Sequence, residues 1–234
     1  NISDLSLVNN LSESILTDKN TTDKNINEPG HEESDSTNPA AAHITTDCKI
    51  PINFAKTSYD VLLADDNELL LRMKNYSEQL YNHCRKIGNL SGQAARLIGA
   101  DENLARAGGY YHEVGKIMGA NYIEEGLKLA DEYAFPEKLK DIIRQHNIKY
   151  DKPTFIESAI VMISDNVITT IEYIEKTGEP KYKTDKIIDD IFRMRLDKGT
   201  FDESGLTVKD FKILKEFFQN EFRTNGKTGK EDTN

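Results

Sequence analysis

His112 and Glu113 stand side by side in the stretch YYHEVGK, residues 110–116, with Gly115 and Lys116 just behind them. An imidazole next to a carboxylate can ligate a metal or move a proton. His83, His146 and Asp165 are the other residues whose types could join such a site. Imidazole and carboxylate together suit iron, manganese, zinc or nickel better than magnesium or calcium alone. Adjacent side chains on an α-helix point about 100° apart. His112 and Glu113 therefore face one site only at a helix end or within an irregular turn. Gly115 is consistent with such an end.

Each of these residues also has an ordinary structural role open to it. His83, beside Cys84 on an amphipathic stretch, reads as well as a half-buried core histidine. Glu113 reads as a solvated acid at a helix end. His146 reads as a favourable cation in the last turn of its helix. Asp165 is the least ordinary, because it interrupts the apolar run SAIVMISDNVITTI. A carboxylate there needs a partner or a metal, since an unpaired buried charge is very costly. Spacing alone leaves both kinds of reading open.

The elements that must position these residues are helical from about residue 60. DDNELLLRM, 65–73, opens on aspartates able to cap a helix. SEQLYNHCRKIGNLSGQAARLIG, 77–99, has Ser77 as its N-cap, and apolar positions that mostly step by three and four. Asp101 caps a third helix, 101–116, which ends near Gly115. A fourth, 121–136, is stopped by Pro136, which in turn sits in the first turn of the next, 136–147. The strongly apolar stretch 153–176 is the expected central helix, followed by 184–199 and 207–222. No strand pattern or internal repeat stands out. The expected class is all-α.

Residues 1–58 have another character. They are rich in Asn, Ser, Thr and Asp, with Phe54 the only aromatic, and nine acids face four bases. Such a segment cannot bury enough apolar surface to offset its ordering entropy. It reads as a flexible linker with a short helix near Leu5 to Leu16, and with KIPINF, 49–54, docking on the domain. His31 and His43 receive no role. The domain is expected over 59–224, with a polar tail over 225–234.

The whole chain has a formal charge of -10 and no basic stripe with interleaved aromatics, which argues against nucleic-acid binding. Cys48 and Cys84 have no metal-knuckle or redox spacing, so a reducing compartment is the simpler setting. There is no apolar run of membrane-spanning length and no signal peptide. The chain begins with Asn1, and is read as a piece of a longer protein.

Residues from about 60 to 224 resemble the HD-domain metal-dependent phosphohydrolases, an all-helical superfamily. The likeness is strongest to the cytoplasmic HD domain of seven-transmembrane receptor HD proteins, whose studied members hydrolyse cyclic di-AMP. LLADDNELLLRM resembles the family's opening helix. HCRKIGNLSGQAARLIGADENLARAGGYYHEVGK resembles its first metal histidine and HDIGK segment. EEGLKLADEYAFPEKLKDIIRQHN resembles its HH segment, ESAIVMISDNV its final aspartate helix, and DKGTFDESGLTVKDFKIL its C-terminal end. Carried over by position, the resemblance makes His83 the first metal ligand and His112 the histidine of the HD motif. Glu113 stands where the family has its metal-bridging aspartate, and Asp165 matches the last metal ligand. His146 matches the first histidine of the HH pair. Lys116 matches the lysine of HDIGK, able to neutralise phosphate charge.

The departures fall on one side of that site. Asn147 stands where the HH pair has its second histidine, and Tyr122 where a further metal histidine is expected. Only IMGAN separates the HEVGK segment from the following helix. In a two-metal phosphodiesterase the bridging carboxylate holds the ions about 3.5–4 Å apart. Glutamate reaches further and less firmly, and tyrosine and asparagine are poor replacements for imidazole. The resemblance thus implies a cyclic-dinucleotide phosphodiesterase with an incomplete two-metal site, holding one or two manganese or iron ions. Glu113 and Lys116 would be its catalytic groups. It also implies a cytoplasmic location in a membrane-anchored parent. Two alternatives stay open: a degenerate domain that binds a nucleotide and signals without hydrolysis, and a helical scaffold or homodimerisation module without metal.

Overall fold

The structure, a computed structural model, describes residues 57–177 and 183–225. The expected linker up to residue 56, its short helix, the docking of KIPINF and most of the polar tail lie outside the described residues. Within them the chain is all-α, with no strand. The helices are α1 Tyr59–Leu63, α2 Glu68–Tyr76, α3 Glu78–Ile98 and α4 Glu102–Tyr111. A 3₁₀ turn follows at Val114–Ile117. Then come α5 Tyr122–Glu132, α6 Glu137–Gln145, α7 Ile156–Thr177, α8 Thr184–Asp197 and α9 Val208–Asn225.

The helix starts mostly follow their capping residues. Ser77 Oγ accepts the Leu80 N–H at 3.2 Å, and Asp101 Oδ1 accepts that of Leu104 at 3.0 Å. The α2 cap is Asn67, not the aspartates before it: its Oδ1 takes the N–H groups of Leu69 and Leu70. Helix α5 stops at Glu132, short of Pro136. There Ala134 turns left-handed at φ 51°, and the Phe135 N–H returns to the Ala130 carbonyl at 2.7 Å. That turn drives Phe135 into the core, edge-on to Tyr111 with ring centres 4.9 Å apart. Pro136 is then the N-cap of α6 rather than part of its first turn.

The two larger apolar clusters share α7. One gathers Leu69, Met73, Leu104, Tyr111, Leu139 and Val161 from α2 to α7; the other gathers Ala94, Ile160, Ile163, Ile188, Leu214 and Phe218 from α3 and α7 to α9. Helix α7 is buried on nearly all sides from Ser158 to Ile168, which explains its continuous apolar run. Helices α3 and α4 approach so closely that a Cβ on Gly109 would lie 2.3 Å from the Gly88 Cα. Since His83 precedes Gly88 on α3 and His112 follows Gly109, this backbone contact sets how far apart the two imidazoles stand.

Candidate metal centre

Helix α4 ends at Tyr111, short of the expected position near Gly115. His112 keeps helical angles as the C-cap, and Glu113 swings to φ -112°, ψ 18° before the 3₁₀ turn. The reason lies at Gly115, where a Cβ would stand 1.9 Å from the Tyr122 carbonyl oxygen and 2.3 Å from the Gly126 nitrogen. Only glycine lets this turn press against α5. The break in the helix turns two sequence neighbours inward together: His112 is 0% exposed and Glu113 1%.

Helices α3, α4 and α7 and the turn after α4 bring four of the candidates to one point. His83 Nε2 lies 3.6 Å from Asp165 Oδ1 and 3.9 Å from Glu113 Oε2. His112 Nε2 lies 3.8 Å from the same Asp165 oxygen. One donor atom each from His83, His112 and Glu113 falls within a 4.8 Å span. Both Nε2 atoms are buried and make no hydrogen bond. A buried polar atom in that state costs about 1–3 kcal/mol. Ligand atoms about 2.0–2.2 Å from one ion sit roughly as far apart as these do. His83, His112 and Glu113 could together hold a metal ion, with Asp165 beside the two imidazoles.

The ring orientations point the same way. His112 Nδ1 sits 2.8 Å from the Gly109 carbonyl, and His146 Nδ1 2.8 Å from that of Ile143. Each carbonyl takes the Nδ1–H and leaves the Nε2 lone pair turned inward. Thr169 Oγ1 donates to Asp165 Oδ1 at 2.9 Å, which fixes that carboxylate within the apolar helix.

The charges divide between the two imidazoles. With no ion bound, burial opposes protonation of His83, but Asp165, Glu172 and Glu113 outweigh it and push its pKa up to about 9. At His112 burial prevails over Glu113 and Asp165 and pushes the pKa down to about 3. His112 is thus neutral near pH 7, whereas a metal binding at His83 would have to displace a proton. Glu113 also pairs with the Lys116 ammonium at 3.0 Å.

The second half of the site is filled differently. His146 lies edge-on to His112, with ring centres 5.0 Å apart, and outside the group that fits an ion. Asn147 Nδ2 donates to the Tyr122 hydroxyl at 2.9 Å, and Lys116 Nζ lies 5.6 Å from the centre of the Tyr122 ring. A second ion held by residues 122 and 147 does not fit this arrangement, because the two polar groups bond to each other.

The sequence reading passes over Glu172. Its Oε2 lies 3.3 Å from His83 Nδ1, and its Oε1 accepts Lys86 Nζ at 2.8 Å. Burial works against its charge, yet His83 and Lys86 prevail and bring its pKa to about 2. The available signal was its spacing, seven residues after Asp165 and so on the same face of α7.

Alongside this helical bundle and its buried His83, His112 and Glu113 group, residues 80–170 match the family model described as "HD domain". Over that stretch the chain resembles this family. It is similar to the cyclic-di-AMP phosphodiesterase PgpH of Bacillus subtilis (strain 168), 24% identical over 69% of this chain and 31% of that one. To PgpH of Listeria monocytogenes serotype 1/2a (strain 10403S) it is 26% identical, over 68% of this chain and 29% of the relative. The chain thus spans about a third of the length of these relatives. A crystal structure of the L. monocytogenes PgpH HD domain in complex with cyclic-di-AMP superposes with a TM-score of 0.61 at 22% identity, covering 69% of this chain and 99% of that one. Among the described residues no helix is long and apolar enough to cross a membrane.

Proposed function

We propose that this domain is a cyclic-dinucleotide phosphodiesterase of the HD type, of the cyclic di-AMP kind, built around one divalent transition metal. The observation that carries the reading is the shared aim of His83 and His112. Their Nε2 atoms, both without hydrogen bonds, lie 3.6 and 3.8 Å from one Asp165 oxygen. In this reading His83, His112, Glu113 and Asp165 hold the ion, manganese or iron. When bound, the ion supplies Lewis acidity toward a phosphoryl oxygen. Lys116, partly exposed beside Glu113, presents its ammonium to the phosphate and offsets its charge. His146 backs the His112 ring. The similarity to PgpH supports the substrate class, and the resemblance to receptor-type HD proteins supports a cytoplasmic domain in a membrane-anchored parent.

One observation favours a second reading, in which the domain binds the dinucleotide and signals without cleaving it. The Asn147–Tyr122 hydrogen bond takes the place of ligands for a second ion. Metal content by elemental mass spectrometry, with cyclic di-AMP turnover and binding on the same sample under added Mn²⁺, separates the two. One ion with turnover supports the phosphodiesterase. One ion with binding and no turnover supports the signalling domain. No ion and no turnover remove the phosphodiesterase reading and leave the signalling domain to be decided by the binding assay.

A further inference from the structure

Three imidazoles face this centre, and two are oriented by backbone. His112 and His146 each place Nδ1 2.8 Å from a backbone carbonyl three residues earlier, an acceptor that belongs to no side chain. His83 differs. Its Nδ1 lies 3.3 Å from the Glu172 carboxylate. Asp165 and Glu172 are two helical turns apart on α7, about 10 Å along the axis. The His83 ring bridges them, with Nε2 on the Asp165 side and Nδ1 on the Glu172 side.

The other carboxylate oxygen of Glu172 accepts Lys86 Nζ at 2.8 Å. Lys86 follows His83 by three residues on α3, so both lie on one face of that helix. The Lys86 ammonium also lies 6.0 Å from the centre of the Phe222 ring on α9. Glu172 is therefore held from both ends, its charge neutralised by Lys86 and its free oxygen turned to His83. With side-chain exposure of 39% it stands outside the core, unlike Asp165 at 3%.

We propose that Glu172 is a positioning residue for the metal centre. It takes the Nδ1–H of His83, fixes the ring and leaves the Nε2 lone pair for the ion, with Lys86 holding the carboxylate in place. A histidine that donates its outer N–H to a carboxylate is a stronger and better-oriented ligand. The inference rests on the metal reading above.

The test is Mn²⁺ affinity of the full 234-residue chain by titration calorimetry, alongside the melting temperature of the metal-free protein. Glu172→Ala is expected to weaken Mn²⁺ binding about 10–100-fold, with the metal-free melting temperature nearly unchanged. Glu172→Gln, which keeps an acceptor oxygen without the charge, is expected to fall between Glu172→Ala and the unmodified chain. Lys86→Met is expected to give a smaller loss than Glu172→Ala. Unchanged affinity in Glu172→Ala overturns the proposal. So does an equal loss in Glu172→Gln and Glu172→Ala, which would reduce the effect to charge alone. If the unmodified chain takes up no Mn²⁺, the metal reading itself has failed, a result distinct from either of these.

Discussion

Asn147 donates its side-chain amide to the Tyr122 hydroxyl at 2.9 Å, and the two residues are only 7% and 6% exposed. They occupy the two positions where the resemblance to the family places histidines for a second ion. The Asn147 amide oxygen also accepts the Lys149 N–H at 3.1 Å. In the proposed reading this pair takes the place of a second ion's ligands, while His83, His112 and Glu113 stay together.

Restoring both histidines should reopen the second half. Tyr122→His with Asn147→His is expected to raise the metal content from one ion per chain to two, read by elemental mass spectrometry. Adding Glu113→Asp is expected to restore or raise phosphodiesterase activity on cyclic di-AMP. A well-folded triple variant that still holds one ion would assign the limit to the short IMGAN segment before α5.

Breaking the pair without adding a ligand should affect stability more than metal binding. Tyr122→Phe takes the hydroxyl acceptor from the buried Asn147 amide. It is expected to cost about 1–3 kcal/mol in urea denaturation, with metal content unchanged. A drop in metal content would mean that Tyr122 supports the first ion as well.

The four convergent ligands should behave unlike His146. His83→Ala or His112→Ala is expected to weaken Mn²⁺ binding by at least about 100-fold, beyond the range typical of outer partners. His146→Ala is expected to leave the first ion bound. Equal losses in all three variants would place His146 among the ligands.

The α3–α4 contact should tolerate no side chain. In Gly109→Ala the new Cβ would meet Gly88 backbone atoms at 2.3 and 2.4 Å. The helices must part, at an expected cost of about 3 kcal/mol, seen as a lowered melting temperature. Because His83 and His112 flank this contact, metal affinity should fall too. A loss below about 1 kcal/mol would show that the helices can separate freely.

Alkaline pH should weaken the start of the domain through Tyr59. Burial, with the nearby charges of Asp101 and Glu157, pushes its pKa up to about 12 from the ordinary value of 10.0. The folded state thus favours the protonated phenol more than the unfolded state does. Its contribution is fully present below pH 10 and is lost as the pH rises towards 12. Urea midpoints across that window should fall less steeply in Tyr59→Phe than in the unmodified chain. Parallel slopes would assign the alkaline loss to other groups.

The all-α class, the order of helices α2 to α9 and the caps at Ser77 and Asp101 were legible in the sequence, because apolar spacing and capping chemistry are local. The oddity of Asp165 was legible too, since a carboxylate inside a fully apolar helix demands a partner wherever the helix lies. Other features depended on contacts between distant segments. The α2 cap passed to Asn67, whose side chain reaches two N–H groups at once. Helix α4 stopped at Tyr111 because Gly115 lets the following turn press against α5, and no local signal marks that.

The sequence by itself determined which residues can ligate a metal and that His112 and Glu113 need a broken helix to act together. Tertiary structure decided the rest. It set the His146 ring edge-on to that of His112, with centres 5.0 Å apart. It joined Tyr122 to Asn147 across 25 positions of chain and brought Glu172 to His83 across 89. Ligand type is a property of one residue, whereas convergence and mutual satisfaction depend on how α3, α5, α6 and α7 pack. That packing is set by the summed burial of many side chains and by backbone contacts such as Gly88–Gly109, which local spacing does not encode.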